Sequence, residues 1–347
     1  MSADTHLGKN AKLPRRVFVV GATGYIGKHV VRELVARGHA VVALARRQAG
    51  TFGAADETAT QRALAGAEVR FGEVTDPSSI ARDGLRGESF DAVVSCLATR
   101  SGIPKDAWRI EHQANLDVLT ASRAAGASHF VLLSAICVQR PQLAFQHAKL
   151  AFEQALIESG IDYSIVRPTA FFKSLAGQVE AVRRGKPFLL FGDGNLTACK
   201  PISESDLARF MADCLDEPSR RRQILPIGGP GAAITPREQG ELLFAAWGRP
   251  PRFRHVPVAL LDGIGFVLRT LGHIVPRLRD QAERVRIGRY YATESMLVYD
   301  HAAGRYDADA TPAYGRDTLP DFYARVVKTG LAGQELGEHA LFSQHRT

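Results

Sequence analysis

The sequence predicts an α/β fold: a doubly wound parallel sheet followed by a smaller, mainly helical lobe. Three observations carry that reading. An apolar run, Val17-Phe-Val-Val20, leads into a glycine loop and then a helix close to the N-terminus. Strand-like apolar runs alternate with helical patterns over the next two thirds of the chain. From Thr235 the alternation gives way to irregular, mostly helical sequence with no second glycine-rich motif and no repeat.

The first strand ends at Gly21-Ala-Thr23-Gly24-Tyr25-Ile26-Gly27. Gly21 permits the tight strand exit, Gly24 lets a pyrophosphate approach the backbone, and Gly27 lets the helix pack closely on the strand. His29-Val-Val-Arg-Glu-Leu-Val-Ala-Arg37 has helical apolar spacing and stops at Gly38. Its N-terminus offers free N–H groups to phosphates. Strand, loop and helix in this order predict a Rossmann-type dinucleotide site, with Thr23, Tyr25 and Ile26 in the binding loop. The second strand, Ala40–Ala45, should end beside the adenosine ribose. An acidic residue there would accept from the ribose 2′-OH, but the chain has Arg46-Arg47. Guanidiniums clamp a 2′-phosphate instead, so the expected cofactor is NADPH rather than NADH.

Glu68–Gly72 reads as the third strand, and Glu73 and Val74 after it should touch the adenine. Asp91–Cys96 reads as the fourth, with Cys96, Leu97 and Ala98 lining the path of the pyrophosphate and nicotinamide ribose. His129–Ser134 and Tyr163–Arg167 follow, and Pro168 lies at the nicotinamide end. Helical patterns occupy 106–125 and 142–159. A capped helix is expected over Ser203–Leu215 and a late strand over Gln223–Ile227. Thr235-Pro-Arg-Glu238 is a capping box with proline at the first helical position, and its helix should run through Trp247. The expected divisions are a flexible stretch at 1–14, the NADP-binding domain at 15–234 and a substrate-binding lobe at 235–347.

A chain of 347 residues with 45% hydrophobic and 23% charged residues has the composition of a soluble globular protein. Its net charge of +8 suits an acidic partner such as the cofactor or an anionic substrate. The basic residues are scattered without aromatic interleaving, so no nucleic-acid partner is expected. Cys96, Cys137, Cys199 and Cys214 form no C-x-x-C pair, which argues against an iron–sulfur cluster, and no metal site is expected. The first residues carry neither a signal-peptide core nor an import leader, so a cytoplasmic location is expected. Val256–Val275 is the most apolar run, but Asp262, Arg269 and His273 interrupt it. It reads as a buried helix or one lying in a membrane interface.

Carbonyl-reducing short-chain reductases pair a tyrosine with a lysine four residues later. The lysine binds the nicotinamide ribose, and the tyrosine protonates the nascent alkoxide. Here Phe145-Gln-His-Ala-Lys149 keeps the lysine, the candidate catalytic residue, and lacks the tyrosine. Two readings stay open. The protein binds NADP(H) without turnover, as a sensor or structural subunit, or its reaction forms no alkoxide. Hydride addition to a carbon–carbon double bond conjugated to a large π-system fits the second. Phe171 and Phe172 could form an apolar wall for such a ring, or could be core residues.

Five runs extend the comparison beyond the glycine loop. Phe171–Glu180, Phe191–Glu204 and Leu225–Gly231 resemble the divinyl chlorophyllide a 8-vinyl-reductases, an atypical NADPH-dependent branch of the short-chain reductases. So do Ile287–Leu297 and Gly333–Gly337, and the resemblance spans about Arg16 to His339. It implies reduction of the 8-vinyl group of divinyl chlorophyllide a, or its protochlorophyllide counterpart, to ethyl in (bacterio)chlorophyll synthesis. It further implies that Lys149 orients the nicotinamide ribose, and that Phe145, Phe171 and Phe172 meet the magnesium tetrapyrrole. Lack of a leader is unlike the plant members and points to a bacterial phototroph, with possible peripheral contact at the photosynthetic membrane. His147 is the nearest histidine to the site, and a solvated role is favoured for it over magnesium ligation.

Overall fold

The computed structural model describes residues 14–47, 53–99, 101–275 and 277–331. Seven parallel strands form the main sheet: β1 (Arg16–Val20), β2 (Ala40–Ala45), β3 (Glu68–Phe71), β4 (Ala92–Ser95), β5 (His129–Leu133), β6 (Asp162–Pro168) and, later in the chain, β8 (Gln223–Ile227). Their order is β3-β2-β1-β4-β5-β6-β8. The strand β1 therefore lies inside, with Val17 paired to Val41 on one side and Ala92 on the other. Val17 to Val20 are fully buried, which is why this run is continuously apolar rather than alternating.

Helices cover both faces. On one side α1 (Gly27–Ala36) and α5 (Glu204–Asp216) bury Val30, Val31, Leu34, Leu207, Met211 and Leu215 against the sheet. On the other, α3 (Asn115–Ala124) and α4 (Ala144–Glu158) contribute Val118, Leu119, Phe152 and Leu156. Each such side chain contributes roughly 1.5–3 kcal/mol through burial. A further helix of this half, α2 (Gly53–Ala63), precedes β3.

The segment read as one helix over 106–125 is broken. A short turn at Pro104–Ala107 leads into a π-helical stretch, Trp108–Ala114, and only then into α3. Glu111 and Asn115, four residues apart, both face inward, with 2% and 1% exposure. Asn115 Nδ2 donates to the Glu111 carbonyl at 3.0 Å, and Asn115 Oδ1 accepts from Ser95 Oγ at 2.6 Å.

A second core lies beyond the sheet. It gathers Phe172, Val179 and Val182, Phe188 and Leu190 of β7 (Phe188–Phe191), Leu243 and Phe244 of α6 (Pro236–Ala246), and Phe322, Tyr323 and Val326 of a C-terminal helix, α9 (Leu319–Thr329). Residues on both sides of position 235 thus share it. The strand β7 pairs in parallel with β9 (Phe253–Val256), a small sheet the sequence pattern did not disclose. The Thr235 capping box forms as expected, with Thr235 and Glu238 exchanging bonds at the start of α6.

Helices α7 (Val258–Leu271) and α8 (Arg277–Thr293) form a hairpin joined by an Asp262–Arg289 ion pair. No residue of α7 is buried, which overturns the reading of this run as a core helix. No described helix is long and apolar enough to cross a membrane. A short antiparallel pair, β10 (Val298–Asp300) and β11 (Arg305–Asp307), follows α8.

Candidate active site

The glycine loop is shaped by contact, not only by spacing. Gly21 sits at φ +71°, and a Cβ there would lie 2.5 Å from the Cys96 backbone. A Cβ on Gly27 would lie 2.1 Å from the Gly21 carbonyl oxygen. The Gly24 N–H closes the turn onto that same oxygen at 3.0 Å. Thr23 and Gly24 are exposed at the tip, and Ile26 is buried beneath it. The first turn of α1 has no acidic residue and no side-chain cap, so its N–H groups suit a pyrophosphate. Tyr25 anchors the loop. Its hydroxyl donates to Glu204 Oε2 at 2.7 Å, and Lys173 Nζ sits 4.7 Å from its ring centre. Burial and the Glu204 carboxylate push the phenol pKa far above its usual value.

Arg46 and Arg47 are exposed just after the C-terminal end of β2. Arg47 Nε pairs with Glu57 at 3.2 Å. A polar cavity of about 430 Å³ opens beside it, lined by Arg47, Gly72, Glu73, Arg82, Asp83 and Arg86. Glu73 is exposed and Val74 buried, so within that pair only Glu73 offers its side chain to a ligand.

Cys96 and Leu97 are buried after β4, Ala98 is exposed, and Pro168 closes β6 from within the protein. Burial pushes the Cys96 thiol up to about 12 despite the nearby Lys149 charge, so it stays protonated. Lys149, on α4, is 9% exposed, and its Nζ lies 2.8 Å from Glu111 Oε2. The other Glu111 oxygen accepts from the Thr99 N–H at 2.8 Å, which ties the pair to the loop after β4. One turn further along α4, Glu153 is buried and binds both Ser134 and Arg167. The polar residues around Lys149 that the sequence did not single out are Glu111 and Glu153, with Ser134 and Arg167. Glu111 carried no sequence signal, because a single acidic residue in a helical pattern reads as a solvated one.

The three aromatic candidates separate. Phe145 is 9% exposed and packs with Ile136, Cys137, Ile287, Tyr290 and Met296, in a cluster that joins α4 to α8. Phe171 is half-buried, 6.4 Å from the Tyr25 ring. Phe172 is 1% exposed and stacks on Phe322 at 5.4 Å inside the second core, away from any wall open to a ligand. His147 is exposed on α4, and the described residues include no cluster of three or more metal-ligating side chains.

The description of NAD(P)H-binding proteins matches residues 21–218. Divinyl chlorophyllide a 8-vinyl-reductase of Oryza sativa subsp. indica is 53% identical over 331 residues, covering 94% of this chain and 82% of the rice protein. The protein of the same name from Arabidopsis thaliana is 53% identical over 330 residues, covering 93% of this chain and 79% of its own length. In overall fold the chain resembles the leucoanthocyanidin reductase–NADPH complex of Vitis vinifera, with a TM-score of 0.65 at 17% identity over 90% of this chain and all of that one. Identity at this level, sustained across both the parallel sheet and the second core, places the chain in the divinyl chlorophyllide a 8-vinyl-reductase family of NAD(P)H-binding proteins.

Proposed function

We propose that this protein uses NADPH to reduce the 8-vinyl group of divinyl chlorophyllide a, or of divinyl protochlorophyllide a, to an ethyl group. The observation that carries the reading is 53% identity to vinyl reductases over 94% of the chain. The site agrees with it chemically. Gly21, Gly24 and Gly27 leave room for the pyrophosphate, and Arg46 and Arg47 stand where the 2′-phosphate would be. Glu73, Val74, Cys96, Leu97, Ala98 and Pro168 follow the path of the nucleotide. Bound NADPH supplies the hydride. Lys149, held by Glu111, is placed to hydrogen-bond the nicotinamide ribose, and Glu153 fixes the strand ends around it through Ser134 and Arg167. With Phe145 in place of a tyrosine, α4 offers no acid for an alkoxide. A vinyl group conjugated to a macrocycle needs none there, because the ring spreads the charge that hydride addition leaves.

Residues on both sides of position 235, together with Phe171, are proposed to shape the macrocycle pocket. Peripheral contact with the photosynthetic membrane at its cytoplasmic face is supported by the apolar exposure of Leu260, Phe266 and Ile274 on the α7–α8 hairpin, at 52%, 61% and 80%. The test is incubation of the purified protein with divinyl chlorophyllide a and either NADPH or NADH, followed by absorbance and chromatography. A blue-shifted Soret band and a monovinyl product with NADPH support the reading. Tight NADPH binding without product, while a reference reductase turns over, favours the non-catalytic sensor reading that Phe145 keeps open.

A further inference from the structure

We infer that Tyr291, carried by the second half of the chain, is the proton donor of the vinyl reduction, taking over from α8 the role that Phe145 on α4 lacks. The inference rests on the reductase reading above. Tyr290 and Tyr291 lie side by side in the last turn of α8, their rings perpendicular and 5.6 Å apart. Tyr290 fastens the helix to the loop after β5: its hydroxyl donates to the carbonyls of Cys137 at 2.9 Å and Arg140 at 3.2 Å. Tyr291 thereby reaches the same loop, where its hydroxyl feels the Cys137 thiol and the charge of Glu111, the partner of Lys149. Cys137 in turn feels the Lys149 charge and belongs to the cluster that holds Phe145. A phenol from α8 thus stands near the carboxylate that holds the lysine.

Its bonding sets it apart from the other enclosed tyrosines. Tyr25, Tyr306 and Tyr314 donate to carboxylates, and Tyr290 and Tyr323 to carbonyls. A thiol is a weak acceptor, so Tyr291 gives up little when its proton turns to a ligand. Tyr291 is 40% exposed, so a planar substrate can lie against its side chain. Burial raises the phenol pKa well above its ordinary value, which keeps it protonated and suits a donor rather than a base. In the proposed step the vinyl group, after gaining a hydride from NADPH, carries the electron pair of a carbanion delocalised into the macrocycle. That pair takes the proton of Tyr291 Oη: a C–H bond forms, the O–H bond breaks, and the tyrosinate oxygen takes a proton from water when the product leaves and the pocket refills.

The test compares wild type and Tyr291→Phe in single-turnover reactions of divinyl chlorophyllide a with NADPH, alongside NADPH titration and circular dichroism. Tyr291→Phe should lose about 100-fold or more in rate, with NADPH affinity and the spectrum unchanged. A rate within about threefold of wild type overturns the inference, as does a loss accompanied by weakened NADPH binding and an altered spectrum. A second readout is independent of turnover. The ¹⁹F resonance of 3-fluorotyrosine introduced at position 291 should shift when NADP⁺ and monovinyl chlorophyllide a bind, and no shift despite binding overturns it. Absence of product from wild type would instead sink the reductase reading.

Discussion

Glu111 is a carboxylate with 2% exposure whose charge is matched by one ammonium, that of Lys149. Removing the ammonium alone leaves a buried charge, which costs about 3–5 kcal/mol where such pairs have been broken. Lys149→Ala should therefore lower the denaturant midpoint sharply as well as depress kcat/KM. Pairing Lys149→Met with Glu111→Gln should recover most of the stability and little of the kcat/KM. Chemical denaturation and steady-state assays of the three variants check this, and equal kcat/KM in the double variant and wild type would remove the lysine from the site. Gly27 makes a sharper demand. A methyl group 2.1 Å from the Gly21 carbonyl cannot be accommodated without moving the loop. Gly27→Ala should weaken NADPH binding at least about tenfold, equivalent to 1.4 kcal/mol, as read by fluorescence titration. At the adenosine end, Arg46→Ala with Arg47→Ala should raise the KM for NADPH far more than that for NADH. An unchanged cofactor preference in steady-state assays would remove that pair from 2′-phosphate recognition.

Strand β5 starts at His129, which is almost fully buried and whose Nε2 lies 3.0 Å from Ser164 Oγ on β6. Burial lowers its pKa from 6.5 to about 4, so the folded protein holds it neutral. The unfolded chain takes up a proton below about pH 6.5 that the folded chain refuses until about pH 4. The stability tied to this residue is complete above that window and is lost as the pH falls through it. The Tm of wild type should decline between these values more steeply than that of His129→Gln. Parallel slopes would assign the acid sensitivity elsewhere. The same scale shows what the sequence could disclose. β2 and β8 match their expected ranges, and the other sheet strands differ by a residue or so at their ends, because buried parallel strands are written as unbroken apolar runs. The capping box at Thr235 was equally legible, since its signal is local. The π-helical stretch was not, because nothing in Trp108–Ala114 departs from an ordinary helical pattern, and Glu111 was missed with it. The pairing of β7 with β9 joins segments some 65 positions apart, from Phe188 to Phe253, that carry no shared pattern.

Across the whole molecule, exposed apolar side chains concentrate on the α7–α8 hairpin: Leu260, Phe266, Val267, Leu271, Ile274 and Val275. Arg269, Arg277 and Arg279 stand among them, and the chain as a whole carries +8. That combination suits an anionic lipid surface. The intact protein should cosediment with phosphatidylglycerol-containing vesicles more than with phosphatidylcholine vesicles, and Phe266→Ser with Ile274→Ser should reduce the bound fraction. Equal sedimentation with both vesicle types, or no effect of the substitutions, would assign the patch another purpose. The second core has a different kind of consequence, one of timing. Its walls come from residues 172–190, from 243–244 and from 319–326. During synthesis the sheet can close once residue 227 has emerged, about a hundred residues before Phe322 and Tyr323 become available. For that interval Phe172, Val179 and Phe188 lack the partners that α9 supplies, on a nascent chain whose sheet is already formed. A chain cut off before α9 would keep its glycine loop and expose an apolar surface permanently, so the arrival of α9 is the point at which this surface of the newly made protein is covered.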